Sequence, residues 1–183
     1  MNTQSPTPVW DRIRTYQFDD TSSALPFSRK LAAENGWSHQ FSQRVIEEYR
    51  KFSYLGVIAG HPVSPSDAVD QAWHLHQLYS REYWEHFCPD ILGAPFHHGP
   101  TKGGEEENSK FEHLYEKTKN SYLRIFHEEP PEDIWPATHI QFGRRFVRLD
   151  TSEHLVVSTN DFPTICRAVT LILNLISKFQ RRK

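Results

Sequence analysis

The sequence predicts a mainly α-helical single domain that resembles a helical bundle. Apolar residues recur three and four positions apart in successive segments, and serine, proline and glycine mark helix ends between them. Alternating patterns typical of strands occur only towards the C-terminus. Of the 183 residues, 37% are hydrophobic and 13% are aromatic, so we expect a core built largely from Trp, Tyr and Phe rings.

Three helices are predicted in the first third of the chain. A short helix over residues 8–18 begins with a proline, which fits the first helical position. A second helix starts near "PFSRKL" and ends at Asn35-Gly36, because glycine readily adopts the left-handed conformation of a helix C-terminus. Ser38 can cap a third helix that extends to about residue 58. Its buried stripe is predicted to comprise Phe41, Val45, Tyr49, Phe52 and Leu55.

Two further helices follow. The segment "SPSD" predicts the start of the fourth, with Ser64 as the N-cap and Asp67 completing a capping box. We expect this helix to end at Cys88-Pro89. A fifth helix is predicted over about 105–127, since three glutamates in its first turn would interact favourably with the helix dipole.

The chain is therefore divided into four parts. Residues 1–7 are polar and are expected to be loose, and residues 8–136 form the helical domain. The segments "RFVRLD" and "HLVVST" predict two short strands, which gives a small C-terminal β-hairpin within residues 137–160. Residues 161–183 predict an amphipathic, basic helix.

Charge is unevenly distributed along the chain. From residue 140 onward there are eight basic and three acidic residues, whereas 13 basic and 20 acidic residues precede it. A brief positive segment beside an acidic body disfavours a nucleic-acid partner. The apolar face and basic end of Ile165–Lys183 favour docking on the domain, on a second copy or on another protein partner. Binding to an anionic membrane surface is the next interpretation, and the apolar run is short for a bilayer crossing.

The cysteines and the first residues indicate the compartment. Cys88 and Cys166 are too few for a disulfide framework. The first residues lack the basic and apolar pattern of a secretory signal. We therefore expect a cytoplasmic protein, with peripheral membrane attachment through the C-terminal helix as the alternative.

Histidines are concentrated in residues 69–100, which contain five of the eleven. Side chains two apart on an α-helix point about 160° away from each other, so His74 and His76 cannot bind one ion together. His76 shares a mostly apolar stripe with Trp73, and we interpret it as a hydrogen-bonded core residue. Asp70 lies one turn before His74, a spacing at which both can bind one ion or pair with each other.

The loop that follows this helix supplies two more candidate ligands. His97 and His98 can fold back towards Asp70 and His74 and complete a set of three or four nitrogen and oxygen ligands. Such a set suits zinc better than manganese or iron. With three protein ligands, a water molecule could take the open position and become nucleophilic. A polar network without a metal, tying the loop to the helix, is an equally supported interpretation.

His76 and Cys88 are weaker candidates for metal ligands. Cys88 lies at the predicted C-terminal end of the fourth helix, where the negative pole of the helix disfavours a thiolate. We therefore expect a ligand or a core residue there rather than a nucleophile. The sequence assigns no catalytic residue and no cofactor besides the metal ion, so it leaves open whether the protein is an enzyme.

The segment "VSPSDAVDQAWHLHQLYSREYWEHFCPDILGAPFHHGPTKGG" resembles the glycine-rich domain-containing protein-like family. The likeness extends over roughly residues 8–158 and implies no established reaction. With eight glycines, the chain lacks the glycine-rich tail of some longer relatives. The matching positions are Val69, Asp70, Trp73, His74, His76, Tyr83, Cys88, Gly93 and His97 or His98.

Two functional hypotheses follow from these observations. The first is a helical domain with a zinc-like centre for a divalent transition metal, where a metal-bound water would supply hydrolytic chemistry. The alternative is a non-catalytic interaction module that its C-terminal helix recruits to a membrane surface or a partner.

Overall fold

Six α-helices and one π-helix form the regular structure of residues 8–99 and 103–143, the part of the chain that the computed structural model describes. The prediction of a mainly helical chain is confirmed for this part. No helix within it is both long and apolar enough to cross a lipid bilayer. The elements are α1 (Pro8–Thr15), α2 (Phe27–Asn35), α3 (His39–Ile58), α4 (Asp67–Leu78), the π-helix (Glu82–Leu92), α5 (Glu105–Phe126) and α6 (Thr138–Gly143).

Local capping signals set the ends of α2 and α3, as the sequence predicts. Gly36 has a φ of 66° and donates its N–H to the carbonyl of Ala32, which closes α2. Ser38 Oγ accepts the backbone N–H of Phe41 at 3.1 Å and begins α3. The predicted end of α3 and the predicted range of α5 agree with the structure to within one residue, whereas α1 ends three residues early.

The start of α4 lies two residues later than the side-chain pattern predicts. Ser66, rather than Ser64, is the N-cap, and its Oγ accepts the N–H of Val69 at 3.3 Å. The backbone N–H of Ser64 instead donates to Thr118 Oγ1 in α5, at 3.0 Å. This contact joins residues 54 positions apart, so the local "SPSD" pattern could not reveal it.

The fourth helix also ends earlier than predicted, at Leu78 rather than at Cys88-Pro89. Tyr79 leaves the helical conformation with a ψ of 57°, and the chain then continues as a π-helix that contains Pro89. π-helices are rare, so a helical segment is interpreted as a continued α-helix unless another signal intervenes. The chain is therefore not one continuous α-helix as far as Cys88, and Cys88 lies in the core.

Helix α3 passes through the centre of the domain and packs against α1, α2, α4, α5 and the π-helix. The predicted core of aromatic rings is confirmed. Rings of this size remove a large apolar area from water, which offsets the modest number of aliphatic residues. Among the described residues, the fully buried rings are Tyr49, Phe52, Tyr83, Phe87, Tyr115, Tyr122 and Trp135.

A buried carboxylate fixes the segment after α5 to α3. Glu48 is 5% exposed and accepts hydrogen bonds from Trp135 Nε1 at 2.9 Å and from Tyr122 Oη at 3.2 Å. Lys51 Nζ lies 3.0 Å from the same carboxylate. Burying a charge without such partners would cost several kcal/mol, so this network specifies where the segment docks.

The predicted C-terminal elements lie outside the described residues. These are the two strands of the β-hairpin placed within residues 137–160 and the amphipathic helix of residues 161–183. Residues 1–7 also lie outside them. In the described part of the predicted hairpin region, Thr138–Gly143 forms α6, a helix that the sequence analysis did not predict.

Gly56, in the last turn of α3, makes room for the ring of Phe96. A β-carbon at position 56 would lie 2.4 Å from Phe96 Cε2, far inside van der Waals contact. On its other side the Phe96 ring stacks on Trp73, with ring centroids 4.3 Å apart and an interplanar angle of 17°. Phe96 therefore anchors the loop that follows the π-helix in the core.

Replacing Gly56 by alanine is expected to destabilise the domain by about 1–3 kcal/mol, the usual cost of overpacking. Alanine favours a helix over glycine by about 1 kcal/mol, so the clash with Phe96 must outweigh this gain. Urea denaturation measures the difference. In a Phe96→Ala background the same substitution should be neutral or stabilising. A Gly56→Ala protein as stable as the wild type would contradict the packing described.

Asp133 provides a test of the surface contact between α3 and the segment after α5. Its carboxylate pairs with both terminal nitrogens of Arg44, at 2.6 and 2.8 Å, and this hydrogen bonding lowers the pKa of Asp133 below its usual range. A carboxylate whose pKa is lower in the folded than in the unfolded protein stabilises the fold at pH values above its unfolded pKa. This stabilisation is lost as the pH falls through the pKa of the folded state. Asp133→Asn should therefore lower the melting temperature slightly at pH 7.

The same substitution should change the melting temperature less at about pH 3, below the usual Asp pKa. Both side chains are half exposed, so the effect at neutral pH is expected to be small. Arg44→Gln is the matched control and should show the same pH dependence. An equal effect of Asp133→Asn at both pH values would show that the ion pair does not contribute.

Candidate metal centre

The first turns of α4 place an acid and an imidazole on one face. Asp70 donates its backbone N–H to the carbonyl of Ser66 at 2.8 Å, so its position follows directly from the capped helix start. One turn later, His74 Nε2 lies 3.8 Å from Asp70 Oδ2. The side chain of His74 is 50% exposed and that of Asp70 is 24% exposed, so solvent reaches this face.

His98 approaches the same carboxylate from the loop after the π-helix. Its Nε2 lies 2.7 Å from Asp70 Oδ1, and its side chain is 22% exposed. The His98 ring contacts the rings of His74 and Trp73, with centroid distances of 4.4 and 4.5 Å. Asp70, His74 and His98 each present one ligand atom, and these atoms all lie within 4.8 Å of one another.

A chain of hydrogen bonds fixes the loop that carries His98. Trp73 Nε1 donates to Tyr83 Oη at 2.7 Å, and the Tyr83 hydroxyl donates to the backbone carbonyl of Phe96. Burial raises the pKa of Tyr83, so its hydroxyl keeps the proton that this bond requires. The Phe96 ring also fills the space beside Gly56. Phe96, two residues before His98, is therefore held both by its ring and by its backbone carbonyl.

His97, the fourth predicted ligand, lies elsewhere. Its side chain is exposed, and its ring packs against Trp84 of the π-helix at a centroid distance of 5.1 Å. The sequence shows that both histidines share a loop but does not show which of them faces α4. The insertion of Phe96 into the core decides this and orients His98 towards Asp70.

His76 is a hydrogen-bonded core residue, as predicted. It is 2% exposed, and burial lowers its pKa to about 3, so its ring is neutral. The hydroxyl of Tyr16 donates to Glu82 at 2.8 Å and therefore accepts from His76 Nε2–H at 3.3 Å. His76 Nδ1 then accepts from the Tyr49 hydroxyl at 3.0 Å. Both ring nitrogens are occupied by the core.

Cys88 is likewise a core residue. It is 3% exposed, and burial raises the pKa of its thiol, so the thiolate is disfavoured. Within the described residues, the cluster of candidate ligand atoms comprises Asp70, His74 and His98 and does not extend to Cys88.

Sequence reasoning did not predict which residues position the site. Gly56 and Phe96 belong to no motif with the histidines, and Tyr83 is among the matched positions but was given no positioning role. The packing of α3, the π-helix and the loop brings these three residues together. One signal was available: a glycine inside an otherwise regular helical pattern commonly has a packing reason.

The comparisons with known proteins identify a family and correct the resemblance. The family model described as UCP032817-like matches residues 10–123, more than half of the chain, and this range contains all three clustered ligands. No curated protein and no solved structure matches the chain. The assignment to the glycine-rich domain-containing protein-like family is therefore wrong, since the residues on which it rested lie within this match. The chain belongs to the UCP032817-like family, an uncharacterised family.

Proposed function

We propose that this domain binds a divalent transition-metal ion, with zinc preferred, through Asp70, His74 and His98. The observation that supports the proposal is the convergence of three ligand atoms, from a helix and a separate loop, within 4.8 Å. Two imidazole nitrogens and one carboxylate oxygen are a ligand set that zinc accepts readily, and manganese or iron can also use it.

Binding requires the three side chains to adjust from ligand-atom separations of up to 4.8 Å. Zinc binds nitrogen and oxygen at about 2.0–2.2 Å, so neighbouring ligand atoms in a tetrahedral site lie about 3.3–3.5 Å apart. His98 Nε2 and Asp70 Oδ1, now 2.7 Å apart, must separate slightly, and His74 Nε2, now 3.8 Å from Asp70 Oδ2, must approach. In the ion-free arrangement Nε2 of His98 presents a proton to Asp70, and with an ion bound that proton belongs on Nδ1.

The unfavourable effect of the helix dipole on a bound cation is small compared with the free energy of zinc binding. Asp70 lies in the first turn of α4, whose positive end disfavours a nearby cation. The dipole contributes about 0.3–1 kcal/mol at such sites. Structural zinc sites in peptides bind with apparent free energies of about 10–16 kcal/mol, so the unfavourable term is minor.

Three protein ligands leave a coordination position for water. His74 is half exposed, so solvent has access to that position. A zinc ion lowers the pKa of a bound water to about 7 and makes it a nucleophile at neutral pH. Hydrolysis at this water is the chemistry that we propose for the centre.

Elemental analysis of protein purified without added metal is expected to find zinc at close to one ion per chain. Loss of one imidazole ligand should weaken zinc binding at least about tenfold, so His74→Ala and His98→Ala should both lose the ion. His97→Ala is the matched control, because its ring packs on Trp84 outside the cluster, and it should retain the ion.

Two results would contradict the proposal. One is a content of zinc, manganese and iron far below one ion per chain that His74→Ala leaves unchanged. The other is a loss of bound metal in His97→Ala as large as that in His98→Ala.

Phe96→Ala tests whether core packing positions the ligands. It removes no ligand, but it frees the loop that carries His98, so zinc affinity measured by titration calorimetry should fall. Phe41→Ala is the control, because Phe41 is a partly buried ring that packs on Trp37. It should destabilise the fold without weakening zinc binding. Unchanged zinc affinity in folded Phe96→Ala protein would show that the anchor is not needed.

A further inference from the structure

A second polar arrangement lies where the chain leaves α3 and passes α5. His61 follows Gly60, whose φ of 73° turns the chain after the helix. His61 Nε2 lies 2.8 Å from Ser121 Oγ in α5, and His61 Nδ1 lies 2.7 Å from the backbone carbonyl of Pro62. This arrangement of His61, Pro62 and Ser121 is separate from the candidate metal ligands Asp70, His74 and His98 and shares no residue with them.

The direction of these hydrogen bonds follows from chemistry. A carbonyl oxygen can only accept, so Nδ1 of His61 carries the proton and donates it to Pro62. In the neutral imidazole Nε2 is then an acceptor, and the Ser121 hydroxyl donates to it. In an activated serine nucleophile, the hydroxyl is hydrogen-bonded to an imidazole. A fixed acceptor holds that imidazole in the correct tautomer. Here a backbone carbonyl takes the place of the usual carboxylate.

This bond differs from the usual behaviour of hydroxyl groups inside helices. Thr118 donates to the carbonyl of Leu114 at 2.7 Å, and Ser53 donates to the carbonyl of Tyr49 at 2.8 Å, each within its own helix. Such bonds to the preceding turn are common for helical serine and threonine. Ser121 instead bonds to a side chain 60 positions away, so its bond is a product of the tertiary structure.

The pair opens onto a cleft with a positive lining. The cleft has a volume of about 440 Å³, and its lining includes His61, Ser121, Lys117, Asn120 and Arg124. Two of these side chains are cations, and the described lining contains no carboxylate. In a chain of net charge −2, such a cleft favours an anionic ligand.

We propose that Ser121, activated by His61, takes the acyl group of a carboxylic ester that bears an anionic group. Ser121 Oγ bonds to the carbonyl carbon as its proton passes to His61 Nε2. The ester C–O bond then breaks, and the same proton passes to the leaving alcohol. Water hydrolyses the acyl-serine, which releases the acid and restores the hydroxyl. Lys117 and Arg124 hold the anionic group.

A fluorophosphonate probe tests this assignment on the full chain. An activated serine displaces fluoride from phosphorus and keeps the phosphonyl group, which peptide mapping by mass spectrometry locates. The expected adduct is on Ser121 of the wild type and is absent from Ser121→Ala. In His61→Gln the amide oxygen still accepts the hydroxyl hydrogen bond but cannot take the proton, so labelling should be slower by about a hundredfold or more.

Ser109, exposed on the same helix, is the internal control and should stay unlabelled. An unmodified Ser121 in the wild type, equal labelling of Ser109, or an undiminished rate in folded His61→Gln would each overturn the proposal. Melting temperatures of the two variants report whether they fold, and the mapping of the wild type does not depend on either variant. Because the cleft lies apart from the metal cluster, zinc content does not decide this result.

Discussion

The insertion of the Phe96 ring between Trp73 and Gly56 is the contact on which the candidate metal centre depends. The position of His98 follows from it, because the Phe96 carbonyl is also held by the Tyr83 hydroxyl. Trp73 takes part twice, since its ring stacks on Phe96 and its indole nitrogen donates to Tyr83. A loop ligand is thus placed by the packing of the core, which gives it the precision that surface loops usually lack.

One helix serves the core and the candidate centre at the same time. The angle between side chains two positions apart sends His76 into the protein and leaves His74 at the surface. His76 satisfies both ring nitrogens with tyrosine hydroxyls, so the core side of α4 is fixed by hydrogen bonds as well as by apolar burial. Asp70 and His74 therefore project from a helix whose rotation about its axis is well determined.

The limits of prediction from this sequence follow the range of the interactions. Helix ends that depend on neighbouring residues, such as those at Gly36 and Ser38, were predicted correctly. The N-cap of α4 was wrongly predicted at Ser64, because the local pattern does not show that the Ser64 backbone N–H bonds to Thr118 in a distant segment. The pairing of Asp70 with His74 was predictable, because both residues lie within one helical turn. The choice of His98 over His97 was not predictable, because it depends on the packing of Phe96. The π-helix was missed because π-helices are rare and a helical segment is interpreted as a continued α-helix by default.

The central claim is that α4 and the Phe96-anchored loop bring three side chains together around one metal ion. Anomalous diffraction at the zinc absorption edge, from crystals of the full chain grown with equimolar zinc, tests it most directly. The account predicts one strong peak at about 2.0–2.2 Å from a carboxylate oxygen of Asp70 and from Nε2 of His74 and of His98. A zinc ion bound to His97 or to unrelated residues, with Asp70 and His98 still hydrogen-bonded to each other, would contradict it.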